Sequence, residues 1–351
     1  MNKARIGVIG VGWWGTERHL APLSRDPKTE VTASWSRTED KAQGRAQKYG
    51  VSRYYTDYRR MIDECEMDGV VIASTPNMHY EQARYALEHG LHVLVEKPFV
   101  LQAAHANELG RLAQEKGRML SVCHPWLFYP MMAEAHKTIR EGKLGKVLVA
   151  AGIFSQRVYE LFQGNTIGRP GDSSDRPRPN VASYSDPAIV GGGEGHTQAS
   201  HILGMLLWLT QEQPVSVFAR MNNVGLHLDV VDALNIRFAS GALAAIAANG
   251  LLPPRASSIQ LQIQGDQGIM NFDTWSLSVQ LFLAGDKGPH KIEAPAPEGH
   301  DCNAAVPLNF ARAILGEEPL YVNMEVALNE AHILDAAYRS AASGKEEEIT
   351  L

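Results

Sequence analysis

The sequence predicts a doubly wound α/β domain with a parallel sheet, followed by an α+β domain with a large, open and mostly antiparallel sheet. Strand-like and helix-like runs alternate up to about residue 124, which is typical of a parallel sheet covered by helices. From Lys146 onward, strand-like runs follow one another across short turns, as in an antiparallel sheet. We therefore expect two domains, 1–124 and 125–351, in a chain of 351 residues.

The composition is that of an ordinary globular protein and restricts its partners. Apolar residues make up 44% and charged residues 21% of the chain, and the net charge is -6. Without a basic surface, nucleic acid and anionic membranes are poor partners. The three cysteines are scattered, as in proteins of the reducing cytoplasm. The longest apolar run, ILGMLLWLT, falls short of the roughly 18 residues of a membrane span. We expect a cytoplasmic protein.

The first strand, near Ile6 to Ile9, leads into the motif Gly10-x-Gly12-x-x-Gly15 and then a helix that begins near Trp13. In this context the first glycine allows a tight turn, the second lets the backbone approach a pyrophosphate, and the third lets helix and strand pack closely. The motif predicts a dinucleotide site contacted also by the two tryptophans between the glycines, Trp13 and Trp14. The alternative is a glycine turn that binds nothing.

Three further strand and helix pairs complete the first domain. They are EVTASW with TEDKAQGRAQKYG, GVVIAS with MHYEQARYALEHG, and HVLVE with AAHANELGRLAQEKG, before a last strand, RMLSVC. The second strand ends in Trp35-Ser36-Arg37-Thr38, where an acidic residue would select NAD. A hydroxyl and a guanidinium suit a phosphate instead, so Ser36 and Arg37 favour NADP over NAD. The alternative is that Arg37 is merely solvated and the site accepts either cofactor.

Two loops at the carboxyl ends of strands carry further polar residues. STPNMHY follows the fourth strand and EKPF the fifth, at the edge where open parallel sheets bind ligands. A lysine there can act as an acid or base if its pKa is lowered. A surface salt bridge and a turn are the alternative for Glu-Lys-Pro alone. The residues that we assign to the cofactor from these loops are Ser74, Thr75, Asn77, His79, Glu96 and Lys97.

The second domain is predicted from six strand-like runs: VLVAAGIFSQ, VSVFARM, LDVVDALNIRFA, ALAAIAAN, SSIQLQIQG and LSVQLFL. Between Tyr159 and Gly193 the chain is polar and rich in Gly and Pro, which predicts a long loop without regular structure, often a lid or binding loop. Its arginines could select an acidic substrate, although a solvated loop is favoured; they are Arg169, Arg176 and Arg178. The C-terminal segment predicts an amphipathic helix, an acidic turn and a short strand.

The stretch GGGEGHTQASHILGMLLWL predicts a close backbone approach to a ligand and then a buried helix. Thr197 and His201 are one helical turn apart on one face of that helix, which Gly204 and Trp208 extend. A histidine on a buried helix is ordinarily a core residue.

Taken together, these motifs resemble those of the Gfo/Idh/MocA family of nicotinamide-dependent sugar and cyclitol oxidoreductases. The resemblance rests on GVIGVGWWG, ASTPNMHYEQARYALEHGLHVLVEKPF, LVAAGIFSQ and SDPAIVGGGEGHTQASHILGMLLWL. It implies a Rossmann domain to about residue 124 and a second sheet that lines the substrate cleft on one face and forms a homodimer or homotetramer through the other. It also implies that Lys97 and His201 are catalytic and contact the substrate.

Where the chain departs from the family, its substrate is in question. Thr197 stands where well-understood relatives carry an aspartate, so we expect the His201 imidazole to titrate near its unperturbed pKa of about 6.5. CHPWLFYP stands where many relatives have an arginine. Its aromatic residues could stack on a pyranose ring or simply form core. The remaining candidate substrate contacts are His124, Trp126, Tyr129, Arg157, His196 and Thr197.

These observations predict a dehydrogenase that transfers hydride from a secondary hydroxyl of a sugar, cyclitol or sugar derivative to NAD(P), while Lys97 and His201 relay the hydroxyl proton. No histidine pairs with another or with a cysteine at ligand spacing, so we expect no metal. The second hypothesis is a redox-assisted glycoside hydrolase or lyase, in which transient oxidation at C3 permits elimination and the hydride then returns. The third is a dinucleotide-sensing regulator without catalysis.

Overall fold

The computed structural model describes residues 3–165, 182–273, 277–292, 294 and 298–350. Its first sheet has six parallel strands in the order β3-β2-β1-β4-β5-β6, which confirms the predicted doubly wound domain. The strands are β1 (Ala4–Ile9), β2 (Thr29–Trp35), β3 (Arg53–Tyr55), β4 (Gly69–Ile72), β5 (His92–Val95) and β6 (Leu120–Val122). The chain order reverses at β1, so a crevice opens between β1 and β4 at their carboxyl ends.

Helices cover both faces of this sheet, and a glycine follows the last residue of two of them. The first runs on from Trp13–Gly15 through a π-helical segment, Thr16–Leu20, to Ala21–Arg25. The others are Glu39–Tyr49, Tyr58–Glu64, Pro76–Glu88 and Ala103–Lys116. Gly50 and Gly117 follow two of them in left-handed conformations that favour glycine. The helix Tyr58–Glu64 and the three-residue strand β3 are too short to be predicted from sequence periodicity.

The second sheet has nine strands in the order β14-β13-β12-β11-β7-β10-β9-β8-β15. All neighbours are antiparallel except β7 and β10, which confirms the predicted mostly antiparallel sheet. The strands are β7 (Val147–Gln156), β8 (Pro214–Asn222), β9 (Val231–Phe238), β10 (Leu243–Asn249), β11 (Ser257–Gly265), β12 (Gly268–Asp273), β13 (Ser278–Leu283), β14 (His290–Ile292) and β15 (Glu347–Glu348).

One face of this sheet is buried and the other is open. Along β9 buried and exposed residues alternate without interruption. The buried face packs against the helices Ser200–Thr210 and Met324–Ser343. The open face carries large apolar side chains, among them Val149, Ile153 and Leu243. Strands β12 and β14 are absent from the runs that we recognised in the sequence.

Helices of the last part of the chain return to the first domain. The helix Cys302–Ile314 places Val306 and Phe310 in one apolar cluster with Ile6 and Leu94. The helix Met324–Ser343 packs against both the helix Ala103–Lys116 and strand β8. The C-terminal chain therefore holds the two sheets together. Within the described residues, no helix combines the length and the apolar character that crossing a membrane requires.

The segment predicted as an irregular loop from Tyr159 to Gly193 has regular structure in its described parts, so that prediction is wrong there. Short helices occupy Tyr159–Phe162, Ala182–Ser185 and Pro187–Val190. Asp186 caps the last of these by accepting a hydrogen bond from the amide of Ala188, and Pro187 starts it. The three arginines of this segment, Arg169, Arg176 and Arg178, lie outside the described residues.

Candidate active site

A cleft of about 570 Å³ lies where the carboxyl ends of the first sheet face the second domain. Its lining includes most of the residues that the sequence assigned to a site: Gly10, Gly12, Trp13, Trp14, Gly15, Ser36, Arg37, Ser74, Thr75, His79, Glu96, Lys97, Arg157, Thr197 and His201. Asn77 is outside this lining and accepts a hydrogen bond from the Thr75 hydroxyl at 2.8 Å. The roles assigned to these residues remain predictions.

The three glycines of the first turn meet three different steric demands. Gly10 has φ of +100°, and a Cβ there would lie 2.5 Å from the backbone of Ala73. A Cβ on Gly15 would lie 2.0 Å from the carbonyl oxygen of Gly10. A Cβ on Gly12 would meet nothing within 4 Å. Gly10 and Gly15 therefore close the turn, while Gly12 faces free space that a pyrophosphate fits.

Basic and hydroxyl groups line the end of the cleft next to β2. Ser36 and Arg37 lie there as predicted, together with Lys41 in the first turn of the helix Glu39–Tyr49. Sequence reasoning missed Lys41, although its position four residues after Arg37 could have indicated it. Within the described lining next to β2, no acidic side chain opposes these cations.

Glu96 is a buried carboxylate surrounded by donors. Its Oε1 accepts hydrogen bonds from Nε1 of Trp14 at 2.6 Å and from Nε2 of His19 at 2.7 Å, and its Oε2 accepts one from the amide of Lys97 at 3.2 Å. Burial would raise the pKa of Glu96, but the hydrogen bond and charge of His19 and the charge of Lys97 outweigh it and hold the pKa below its usual range. The sequence analysis did not identify His19.

Lys97 lies partly buried between the domains. Its Nζ donates a hydrogen bond of 2.6 Å to the carbonyl oxygen of Thr197. Burial lowers the pKa of Lys97, and the charge of Glu96 opposes this. A lysine with a lowered pKa can accept a proton at a pH nearer to neutrality than an exposed one.

His201 lines the cleft with only 8% of its surface exposed. Its ring stacks on Phe154 with centroids 5.2 Å apart. Burial, with the charges of Lys97 and His124, lowers the pKa of His201 well below its usual value. The expectation of a pKa near 6.5 is therefore wrong, because desolvation matters more here than the absence of a neighbouring carboxylate. The Thr197 hydroxyl does not replace that carboxylate, since it donates to the Gly193 carbonyl at 2.7 Å.

Four predicted substrate contacts lie outside the lining of the cleft. His124 is buried, with Nε2 2.6 Å from Oε2 of Glu330 in an orientation that falls short of a hydrogen bond. The centroid of the His124 ring is 6.2 Å from that of His201. A Cβ on Gly204 would lie 2.5 Å from atoms of the His124 ring. The other three contact neighbouring rings: Trp126 and Tyr129 pack together, and His196 stacks on Tyr338. His124 thus lies next to His201 and outside the lining of the cleft, and its contact with a substrate stays a prediction.

The glycine-rich turn before His201 is held by Asp229, which the sequence analysis missed. Its Oδ1 accepts hydrogen bonds from the amide of Gly193 at 2.7 Å and from the hydroxyl of Tyr338 at 3.0 Å. Its Oδ2 accepts one from the amide of Gly195 at 2.8 Å. A Cβ on Gly193 would lie 1.9 Å from the Asp229 carbonyl oxygen, so this contact requires glycine.

Two neighbouring carboxyl groups are buried, those of Glu194 and Asp232. Among the described residues, neither oxygen of Glu194 has a hydrogen-bond partner, and the Asp232 carboxyl group lies next to that of Asp229. Burial and the charge of Asp229 raise the pKa of Glu194 to about 9 and that of Asp232 to about 10. Both groups therefore hold a proton at neutral pH.

Among the described residues, one group of possible metal ligands stands together: His19, Glu96 and Cys123, whose ligand atoms lie within 4.8 Å of one another. Burial, with the charge of Glu96, raises the pKa of the Cys123 thiol well above its usual value. A metal binds the thiolate, so a thiol that keeps its proton is a poor ligand. Glu96 already accepts hydrogen bonds from His19 and Trp14. The donor set does not favour a metal.

Two family profiles match the chain. Residues 4–124 match the oxidoreductase family with an NAD-binding Rossmann fold, and residues 132–271 match the GFO/IDH/MocA C-terminal domain. The chain belongs to the Gfo/Idh/MocA family. The resemblance stated from the motifs is thereby confirmed, and so is the assignment to the NAD(P)-dependent oxidoreductases.

Similar proteins within the Gfo/Idh/MocA family are named dehydrogenases. Levoglucosan dehydrogenase of Pseudarthrobacter phenanthrenivorans is 24% identical over 83% of this chain and 79% of its own. The NADP(+)-dependent scyllo-inositol 2-dehydrogenase IolU of Bacillus subtilis is 29% identical over 46% of this chain, about half (49%) of its own length. A structure of levoglucosan dehydrogenase with NADH and levoglucosan shares the fold, with a TM-score of 0.82, 22% identity and full coverage of both chains.

Proposed function

We propose that the protein is a dehydrogenase that transfers hydride from a secondary hydroxyl of a sugar, cyclitol or sugar derivative to NAD(P). The observation that carries the proposal is that Lys97, partly buried, and His201, buried, line the same cleft and both have a lowered pKa. The lowered pKa brings proton acceptance by Lys97 nearer to neutral pH and keeps the His201 imidazole neutral, as an acceptor for the hydrogen bond of a hydroxyl. The presence of both residues also argues against a regulator without catalysis.

The dinucleotide fits the first-domain side of the cleft. The free space beside Gly12 accommodates a pyrophosphate, and Ser36 and Arg37 provide donors at the other end. Ser74, Thr75 and His79 line the cleft between them. When bound, the nicotinamide supplies the hydride acceptor, so the protein has to position the carbinol and remove its proton.

The residues of this chain perform the proton transfer. Once it has lost its proton, the Lys97 amine donates one N–H to the Thr197 carbonyl and keeps its lone pair for the substrate hydroxyl. The neutral imidazole of His201 offers a second acceptor in the same cleft. Because only the deprotonated amine accepts the hydroxyl proton, we expect the oxidation to proceed faster as pH rises through the pKa of Lys97.

The cofactor preference is a separate proposal, in favour of NADP. Arg37 and Lys41 both line the end of the cleft where a 2′-phosphate would lie. Replacing Arg37 by Ala should weaken NADP binding by about 1–3 kcal/mol, the range for a lost charge-assisted bond, and leave NAD binding unchanged. Equal loss for both cofactors, measured by fluorescence titration, would show that Arg37 does not contact the phosphate.

A homodimer or homotetramer through the open face of the second sheet is also proposed. Exposed apolar side chains cluster there on adjacent strands, including Val149 and Ile153 of β7 and Leu243 of β10. Such a patch on a soluble protein commonly marks an interface. Sedimentation equilibrium of wild type and of Ile153→Asp would test it, with a monomer expected for the variant only.

A substrate panel separates the functional hypotheses. The protein is incubated with NAD+ or NADP+ and with sugars, cyclitols and aryl glycosides, and reduced cofactor and released aglycone are measured separately. Stoichiometric reduced cofactor is expected. Aglycone release without net reduction would instead favour the redox-assisted glycosidase, and tight cofactor binding without any turnover would favour the regulator.

A further inference from the structure

We propose that the substrate is a glycoside or sugar derivative with an apolar, ring-sized substituent, and that an apolar wall of the cleft binds this substituent. The wall consists of Val158, Leu161, Phe162, Tyr184 and Val190. The inference rests on the proposed dehydrogenase function and adds the class of its substrate.

The second-domain side of the cleft divides into a polar and an apolar part. The polar part contains Thr197 and His201 and faces Lys97 of the first domain, whose Nζ donates a hydrogen bond to the Thr197 carbonyl. Gln156 and Gln198 also line the cleft and can hydrogen-bond the hydroxyls of one sugar ring. This is where the reacting carbon has to lie, because proton transfer requires contact with Lys97 or His201.

The apolar wall is a contiguous and supported surface. Val158, Phe162 and Val190 belong to one packed cluster with Leu228 and Val230 behind them. Leu161 packs against the same cluster and remains partly exposed. Because the wall is packed from behind, it is already formed before any substrate binds.

Apart from the phenol of Tyr184, the wall offers little to hydroxyl groups or to an anion. Glu194 lies behind it, since a Cβ on Gly250 would approach both Oε2 of Glu194, at 2.8 Å, and Val158, at 2.9 Å. That carboxyl group is unpaired and protonated at neutral pH because burial raises its pKa to about 9. The nearby cation, Arg157, is paired with Glu160 through a hydrogen bond of 2.6 Å from Nε to Oε1.

An unsubstituted sugar would fit this division poorly. Its rim carries hydroxyls, and those that face the wall would lose water without gaining a partner. A ring-sized apolar substituent would instead bury its surface against the wall while the sugar stays in the polar part. The cleft therefore favours amphipathic substrates over free sugars.

The test compares matched substrates in the full-length protein. Values of kcat/KM are measured, by formation of reduced cofactor, for free sugars and for their methyl and phenyl glycosides in both anomeric forms. For the sugar that is oxidised, we expect phenyl to exceed methyl by at least about tenfold, since burying a phenyl ring is worth more than 1.4 kcal/mol. Leu161→Asn should reduce this phenyl-to-methyl ratio at least about threefold.

The control is Leu251→Asn, the same substitution at an exposed leucine outside the cleft lining, which should keep the wild-type ratio. If Leu161→Asn does not fold, the phenyl-to-methyl ratios of kcat/KM in Leu161→Ala and in the wild type test the inference instead. Equal kcat/KM for phenyl and methyl glycosides, or an equal loss for both in Leu161→Asn, overturns the inference and leaves the dehydrogenase standing. No reduced cofactor with any sugar or glycoside overturns both.

Discussion

Glu96 and Glu194 approach Lys97 from opposite domains, and the two buried carboxyl groups are in opposite protonation states at neutral pH. Glu96 accepts hydrogen bonds from Trp14, His19 and the amide of Lys97, and its pKa is lowered. Glu194 has no partner, and its pKa is raised to about 9. Burial acts on both, so the number of donors decides which carboxyl group keeps its charge.

The backbone amides near Glu194 donate their hydrogen bonds to another residue, Asp229. Gly193 and Gly195 flank Glu194 in the glycine-rich turn, and both amides bond to the carboxylate of Asp229. One carboxylate thus fixes the turn, while Glu194 and Asp232 stay uncharged beside it. The consequence for Lys97 is that Glu96 is a permanent counter-charge at neutral pH and Glu194 is not.

We expect the largest effect from removing the amine of Lys97, which lies near the carboxyl groups of both Glu96 and Glu194. Lys97→Ala should lower kcat by about 10²–10⁴, the usual contribution of a positioned acid or base. Cofactor affinity should stay the same, because other residues bind the dinucleotide. Steady-state kinetics and a binding titration measure the two quantities. A variant that keeps a tenth of the wild-type kcat would remove Lys97 from the proton transfer.

The next effect concerns the charged partner. Glu96→Gln should lower the free energy of unfolding by about 1–3 kcal/mol, because the amide cannot accept from Trp14, His19 and Lys97 as the carboxylate does. The loss should disappear at low pH, since a carboxyl group with a lowered pKa stabilises the fold only above its pKa. Urea unfolding at pH 4 and pH 7 measures this, and equal loss at both pH values would contradict it.

The remaining effect has the opposite sign. Glu194→Gln should raise the free energy of unfolding at pH 8, because the unfolded chain ionises Glu194 and the folded chain does not. For the same reason, the stability of the wild type should fall as pH rises from about 5 to about 9, and less so in the variant. Melting temperatures of both proteins across this range test the prediction. A destabilised Glu194→Gln would mean that Glu194 is charged in the fold.

The parts of the molecule that follow local patterns could be predicted from the sequence. The glycine turn, the alternation of strands and helices up to β6, and the cleft residues Lys97 and His201 depend on short spacings that the chain shows directly. Strand β12 was not predicted because only a two-residue turn separates it from β11, and β14 was not predicted because it has only three residues.

The parts that depend on distant pairings could not be predicted. His19 bonds to Glu96 across 77 residues, and Tyr338 bonds to Asp229 across 109. Nothing in the local sequence of His19 or Asp229 separates them from surface residues. His124 was assigned to the substrate because of its aromatic neighbours, whereas it lies buried beside Glu330 and over Gly204, next to His201 and outside the lining of the cleft. Burial also determined the pKa of His201, which spacing does not reveal.

The central claim is that this cleft passes hydride from a carbinol carbon to the nicotinamide while Lys97 removes the hydroxyl proton. The most direct measurement uses a sugar or glycoside deuterated at its ring carbons, with mass spectrometry of the reduced cofactor. The account predicts one deuterium in each reduced nicotinamide formed by the wild type, and formation of deuterated cofactor at least about a hundredfold slower in Lys97→Ala. Reduced cofactor without deuterium, or undiminished transfer in Lys97→Ala, would contradict it.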